Sequence, residues 1–153
     1  MDDRLRLSEL KLCEIVGVSQ PYRQSLVKRK MLEPAPQSGC SPNDAVELAI
    51  LERLGHHLSP SEVAVAWKQL RPRIRELVPK GRLDLVFSRE LGGAELARDD
   101  ASLRTAVIGG RPVRVLELGP RLQEVLDAFR RWAEAAPFTP PRQVPARSRS
   151  KSS

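Results

Sequence analysis

A short polar and basic run, residues 19–30, carries the side chains best suited to recognising a ligand. Gln20 and Gln24 can each donate to and accept from the edge of adenine, and Arg23 can hold guanine through two donors. Tyr22 adds a hydroxyl group between them. If the run is helical, these four side chains lie at its exposed start, and we predict that they contact DNA bases.

The same run is also suited to holding phosphates. No Asp or Glu lies between Glu14 and Glu33, so its cations meet no acid within the run. Cations that neutralise phosphates release counterions, and such contacts fix the position of a protein on DNA without reading its sequence. An ordinary solvated surface is the alternative for any run of charge. We predict phosphate contacts from four residues: Ser19, Lys28, Arg29 and Lys30.

Two short helices joined by a tight turn would position this run. Gly17 can adopt the left-handed conformation of such a turn, Ser19 can cap the second helix, and Pro21 is tolerated in its first turn. Arg23 stands where such motifs often place an apolar residue. A small core between the helices is expected from Leu12, Val16, Val18 and Leu26. The pattern is typical of the helix-turn-helix that enters the DNA major groove.

Two further helices follow a short loop. Pro34 disfavours helix at Glu33, so we expect the segment Met31–Pro34 to end the second helix. The segment Ala35–Cys40 is rich in Pro, Gly and Ser and could form a short wing. Ser41–Asp44 and Ser59–Glu62 each combine Ser, Pro and an acid in the order that begins a capped helix.

Apolar residues at helical spacing predict two packing surfaces. The first lies on the helix after Pro60, where Pro72 should cause a break near residues 69–71. The second lies on an amphipathic helix that begins at Pro120. We predict that both surfaces form a dimer or partner interface through these residues: Trp67, Leu70, Ile74, Leu122, Val125, Phe129 and Trp132.

The C-terminal half contains strand patterns. Leu83–Ser88 alternates like a strand, and Thr105–Ile108 and Val113–Leu118 flank Gly109–Pro112, a predicted hairpin turn. Residues 92–102 are expected to form a loop with one helical turn. With the helix from Pro120, these elements would make a small sheet-plus-helix unit.

Charge divides the 153-residue chain into three parts. Residues 1–80 hold 13 Lys and Arg against 10 Asp and Glu, residues 81–136 hold 9 of each, and residues 137–153 hold 4 cations and no acid. The neutral middle part argues against a protein that coats nucleic acid along its whole length. We predict a DNA-binding domain over 1–80, a small α+β dimerisation or partner domain over 81–136, and a disordered basic tail over 137–153.

Other chemistry is not predicted. Cys13 and Cys40 lack the neighbouring ligands of a zinc site, and His56 and His57 suit the end of a helix. The paired glycines have no phosphate-binding context. We therefore predict no enzyme activity, no cofactor and no metal. The chain shows no signal peptide and no run of the roughly 20 apolar residues that would span a bilayer, so we expect a cytoplasmic protein.

Residues 5–70 resemble the DNA-binding domain of the MerR family of transcription regulators. The segments that carry the resemblance are Leu7–Leu10, Gly17–Ser19, Met31–Pro34, Ser41–Leu54 and Leu58–Val63. The resemblance implies a helix-turn-helix followed by a short wing, a second helix pair and a dimerising helix. This chain departs from the family at Lys30, where Gly is usual, and at Gln37–Cys40, which lacks the usual Arg and aromatic residue of the wing.

These observations give one leading hypothesis and two alternatives. We expect a mainly α fold with a small β component, in which a MerR-like winged helix-turn-helix precedes the α+β unit. The leading hypothesis is a sequence-specific regulator of transcription, a repressor that binds double-stranded DNA as a homodimer. The first alternative is an excisionase-like architectural DNA-binding protein. The second is a protein-interaction module whose helix-turn-helix has lost DNA affinity, for which Arg23 and the weak wing are the best arguments.

Overall fold

The chain folds into a mainly helical structure with a small antiparallel sheet, as the sequence predicts. The structure is a computed structural model that describes residues 4–77, 83–88, 93–97, 99, 104 and 114–140. Its described elements are α1 Glu9–Val16, α2 Gln20–Lys28, α3 Pro42–His57, α4 Pro60–Leu70, a 3₁₀ helix Arg71–Leu77, β1 Asp84–Ser88, β2 Gly93–Ala97, β3 Arg114–Glu117 and α5 Gly119–Ala135.

Serine residues begin the first helices, as predicted. Ser8 accepts from the Lys11 amide at 3.2 Å, and Ser19 accepts from the Tyr22 amide at 3.1 Å. The starts of α3 and α4 are full capping boxes, in which the serine and an acid three residues later satisfy each other's backbone amides. The local sequence therefore fixes where these helices begin.

A tight turn at Gly17 joins α1 to α2. Gly17 has a φ of 82°, a left-handed conformation that its lack of a Cβ makes accessible. The amides of Gly17 and Val18 both donate to the Cys13 carbonyl, at 2.8 and 3.0 Å. Leu12, Val16 and Leu26 are buried between the helices, as expected for a helix-turn-helix core.

Helix α2 ends earlier than predicted. It stops at Lys28, and Lys30 takes a left-handed conformation with a φ of 60°. The Lys30 amide donates to the Val27 carbonyl at 3.0 Å, and the Met31 amide donates to the Leu26 carbonyl at 2.9 Å. This is a Schellman arrangement, so a backbone reversal at Lys30 terminates the helix before Pro34 is reached.

The left-handed Lys30 leads to a stability prediction. We expect Lys30→Gly to be more stable than Lys30→Ala by about 1 kcal/mol, because glycine relieves the strain of this conformation. Both variants lose the same charge, so their difference isolates the backbone effect. Urea unfolding of the two proteins measures it. Equal stability, or a less stable Lys30→Gly, would contradict the conformation assigned to Lys30.

Helix α4 is followed by an irregular helical segment, which confirms the predicted break near residues 69–71. The α-helix ends at Leu70 and continues as the 3₁₀ helix. Before the break, the Trp67 indole N–H donates to the Met31 carbonyl at 2.7 Å. This bond ties α4 to the segment that leaves α2.

In the described part of the sheet, β1 lies between β2 and β3, with antiparallel pairing on both sides. The strand predicted at residues 83–88 is confirmed. The loop predicted over residues 92–102 is wrong at Gly93–Ala97, which is strand β2. Gly and Ala have low strand propensity, so the local sequence does not indicate a strand here. Backbone pairing with β1 stabilises the extended conformation, and Gln69 Oε1 accepts a hydrogen bond from the Ala94 amide at 2.6 Å. The predicted strand 105–108 and hairpin turn 109–112 lie outside the described residues.

The core is continuous across the predicted boundary between residues 80 and 81. Helix α5 packs against α3 and α1. Its Leu122, Val125 and Phe129 belong to the same buried cluster as Leu12 and Val16 of α1. Within the described residues, the C-terminal elements and the N-terminal helices therefore share one hydrophobic cluster.

The predicted interface is mostly internal. Six of its seven residues are buried within the chain, with exposures of 1–5 %, and cannot meet a partner while the protein is folded. An amphipathic pattern shows that a face is covered, but not whether its own chain covers it. The predicted interface is therefore wrong for six residues: Trp67, Leu70, Ile74, Leu122, Val125 and Phe129. Trp132 alone among the seven is exposed, at 45 %.

The first residues of the predicted tail lie against the protein. Phe138 is partly buried, and a Cβ added to Gly39 would lie 2.8 Å from its Cδ1 atom. The Gly39 amide donates a hydrogen bond to the Pro36 carbonyl at 3.0 Å and so closes a turn. Phe138 therefore packs on the loop between α2 and α3, whereas residues 137, 139 and 140 are exposed. The disorder predicted for residues 141–153 concerns positions outside the described ranges.

Candidate nucleic-acid interface

Helix α2 presents one exposed face to solvent. Pro21, Gln24, Ser25 and Lys28 are exposed and recur at the spacing of one helical face, opposite the buried Leu26. The sequence analysis found Gln24 and Lys28 but missed Pro21 and Ser25. Their spacing from Lys28, seven and three residues, is the signal that could have identified them.

The beginning of α2 is partly enclosed. Gln20 is half-buried, and Ser19 is exposed with its hydroxyl oxygen engaged as the helix cap. The hydroxyl hydrogen of Ser19 is still free to donate to a phosphate oxygen. Of the four predicted base-reading residues, only Gln24 is fully exposed.

Tyr22 is directed toward α3. Its hydroxyl oxygen would lie 3.7 Å from a Cβ added to Gly55, so the ring reaches the C-terminal half of that helix. Burial raises the pKa of Tyr22 above its usual value, and the Glu52 carboxylate raises that pKa further. A cleft of about 300 Å³ lies here, lined by Gly17, Val18, Ser19, Tyr22, Glu52, Gly55 and His56.

Arg23 is not at the exposed surface, which corrects its predicted role in reading bases. It is 3 % exposed, and its guanidinium group lies 3.2 Å from Glu9 Oε1 and donates to the Glu33 carbonyl at 3.2 Å. The side chain therefore connects α1, α2 and the segment after α2. The usually apolar position is filled by an internal ion pair, which a duplex cannot reach.

The end of α2 forms an unneutralised basic cluster. Lys28, Arg29 and Lys30 are all exposed. None of them forms an ion pair within the part of the chain that the structure describes. The nearest following acid, Glu33, lies 3.4 Å from Arg71. The three cations of this cluster are therefore exposed and have no acidic partner among the described residues.

Helix α5 supports the turn that positions α2. Arg121 donates to the Val16 carbonyl at 2.6 Å, at the end of α1, and also pairs with Glu124 at 2.9 Å. Its guanidinium lies within 4.0 Å of the Cβ position of Gly17. The sequence analysis missed this contact because it joins residues more than 100 positions apart.

The described residues contain no group of His, Cys, Asp and Glu side chains that could hold a metal ion. Cys13 and Cys40 are free and buried, and burial raises the pKa of Cys40 to about 11, so it is poorly nucleophilic. His56 lies at the end of α3 and contacts Glu52 at 2.7 Å. No described helix is long and apolar enough to cross a membrane.

Comparisons with known proteins do not assign the chain to a family. No protein-family model matches it, and the search of curated proteins returned no match. The resemblance to MerR regulators accordingly stays a prediction from the sequence.

Proposed function

We propose that this protein is a sequence-specific DNA-binding regulator of transcription that inserts α2 into the major groove. The observation that supports this most is the exposed face of α2, which carries Gln24, Ser25 and Lys28 and ends in a cationic cluster. The Gln24 amide can donate to and accept from base edges. The Ser25 hydroxyl donates to the Tyr22 carbonyl at 2.6 Å and can accept from a base, and Lys28 and the other unpaired cations can meet phosphates. The preceding helix and the turn at Gly17 hold this face outward.

The buried Arg23 weakens the alternative of a degenerate helix-turn-helix. That alternative relied on a charge in a position that is usually apolar. Glu9 and the Glu33 carbonyl accept from the two terminal guanidinium nitrogens, whereas the buried Nε has no hydrogen-bond partner, so an ion pair within the chain compensates the charge of Arg23. The charge of Arg23 is therefore no longer an argument for that alternative, whereas the weak wing, its other argument, is unaffected.

A homodimer is part of the proposal. A single small helix-turn-helix makes few base contacts, so paired half-sites would be needed for strong discrimination. Since the interior residues of α4 and α5 are excluded as an interface, the dimer surface has to use exposed side chains, and Trp132 is the member of the predicted set that qualifies. We propose repression, since covering a promoter requires only binding.

The experiment is selection of bound duplexes from a random library, followed by affinity measurements on the selected sequence. We expect Gln24→Ala to lower affinity for that duplex by about 5- to 150-fold while leaving random duplexes nearly unaffected, because a bidentate base contact discriminates by about 1–3 kcal/mol. Lys28→Gln should instead weaken all duplexes alike and reduce the slope of log affinity against log salt by about 1.

The matched control is Gln123→Ala, which removes an exposed amide from α5 and should change neither property. The assignment would be wrong if Gln24→Ala retained full discrimination, or if Gln123→Ala and Gln24→Ala behaved alike. The proposed function itself fails if the wild-type protein binds no duplex at low salt.

A further inference from the structure

A groove lies between the segment that follows α2 and the outer side of α4. It encloses about 520 Å³, which is within the usual range for sites that hold small organic molecules. Met31, Trp67 and Pro72 supply apolar walls, and Ala64 lies beside them on α4. The bond from the Trp67 indole to the Met31 carbonyl fixes the largest of these walls, so the groove is formed in advance.

Three cations line the same groove: Lys30, Lys68 and Arg71. Lys30 and Lys68 are exposed and form no ion pair within the described ranges. Arg71 lies 3.4 Å from Glu33 and 3.9 Å from Glu47. Glu33 is a weak competitor for Arg71, because its side chain is 82 % exposed and is readily displaced into water.

We propose that this groove binds an amphipathic organic anion, with its apolar body against Met31 and Trp67 and its anionic group near Lys30 and Lys68. Charge complementarity decides the kind of ligand. An uncharged apolar molecule would leave the lysines unused, and a bare phosphate would leave the apolar walls uncovered. A carboxylate, sulfonate or phosphate attached to an aromatic or aliphatic body satisfies both parts.

The test uses 8-anilino-1-naphthalenesulfonate as a probe, since it joins an aromatic body to one anionic group. We expect saturable binding to the folded protein with a Kd on the order of 10–100 µM. The chain has 2 tryptophans, so in Trp132→Phe the remaining one is Trp67. Energy transfer from Trp67 to the probe then reports binding to the protein, and the variants on α4 decide whether the groove is the site. N-phenyl-1-naphthylamine lacks the sulfonate and should bind at least about fivefold more weakly.

Variants on one helix separate the groove from the rest of the surface. Lys68→Gln should weaken probe binding about two- to fivefold, as expected for loss of one exposed charge contact. Ala64→Glu places a carboxylate in the groove and should weaken binding by more than about tenfold. Val65→Glu is the matched control, because Val65 is exposed on α4 and does not line the groove, and we expect it to bind like the wild type.

The proposal is overturned if the folded protein does not bind the probe, or if Ala64→Glu and Val65→Glu bind it equally. It is also overturned if the probe does not bind while Lys68→Gln lowers affinity for random duplexes, which would make the groove a DNA phosphate contact. The probe assay contains no DNA, so its failure and the failure of the proposed DNA-binding function are distinguishable.

Discussion

Phe129→Ala is expected to destabilise the entire protein by about 3–5 kcal/mol, the usual cost of removing a buried aromatic side chain. Phe129 is 1 % exposed and shares its buried cluster with Leu12 of α1. A loss of this size is a large part of the 5–15 kcal/mol by which typical domains are stable. Chemical denaturation followed by circular dichroism and by tryptophan fluorescence measures the change.

The unfolding curves of Phe129→Ala from circular dichroism and from tryptophan fluorescence should have the same midpoint, because one core joins α5 to the N-terminal helices. Trp132→Ala serves as the control. It lies on the same helix but is 45 % exposed, and its ring is 4.4 Å from the Lys11 ammonium, so we expect a loss of about 1 kcal/mol or less. A small effect of Phe129→Ala, or two separate unfolding transitions, would contradict a common core.

The second large effect concerns the ion pair between Arg23 of α2 and Glu9 of α1. We expect Glu9→Ala to cost about 2–4 kcal/mol, because it leaves the Arg23 charge buried without its carboxylate partner. Arg23→Met should cost about 1 kcal/mol or less, since Glu9 is 24 % exposed and water can solvate it once Arg23 is gone. Urea unfolding of both variants and of the wild type measures the difference.

The double variant completes the cycle. Glu9→Ala combined with Arg23→Met should be more stable than Glu9→Ala alone, because no uncompensated buried charge remains. Arg23→Met should also retain duplex affinity, since the side chain cannot reach a base. The assignment of Arg23 to the interior fails if the two single changes cost the same and add in the double variant, or if Arg23→Met alone abolishes sequence discrimination.

Features that depend on a few neighbouring residues could be predicted from the sequence. The serine caps, the turn at Gly17 and the break after Leu70 each follow from a short local pattern, and the structure has all of them. Strand β1 was recognisable from the alternation within residues 83–88. In each case the backbone preference and the apolar pattern favour the same structure, so no distant contact was needed to decide it.

Features that depend on distant partners could not be predicted. Arg23 looked like a surface cation because its partner Glu9 lies on the preceding helix, 14 positions away, and the two meet only through the crossing of α1 and α2. The apolar face of α5 looked like an interface because the sequence does not reveal that α3 covers it. Helix α2 ended early because Lys30 adopts a conformation for which glycine is the usual signal.

The measurement that tests the central claim most directly is a nuclear magnetic resonance titration of the ¹⁵N-labelled protein with its selected duplex. We predict that the largest amide shifts fall on the exposed face of α2, at Gln24, Ser25 and Lys28, and on Lys30 after it. The amide of Trp132 on α5 should stay nearly unchanged unless dimerisation accompanies binding, which sedimentation of the same sample reports. The largest shifts on another surface, with the α2 face unperturbed, would contradict the account.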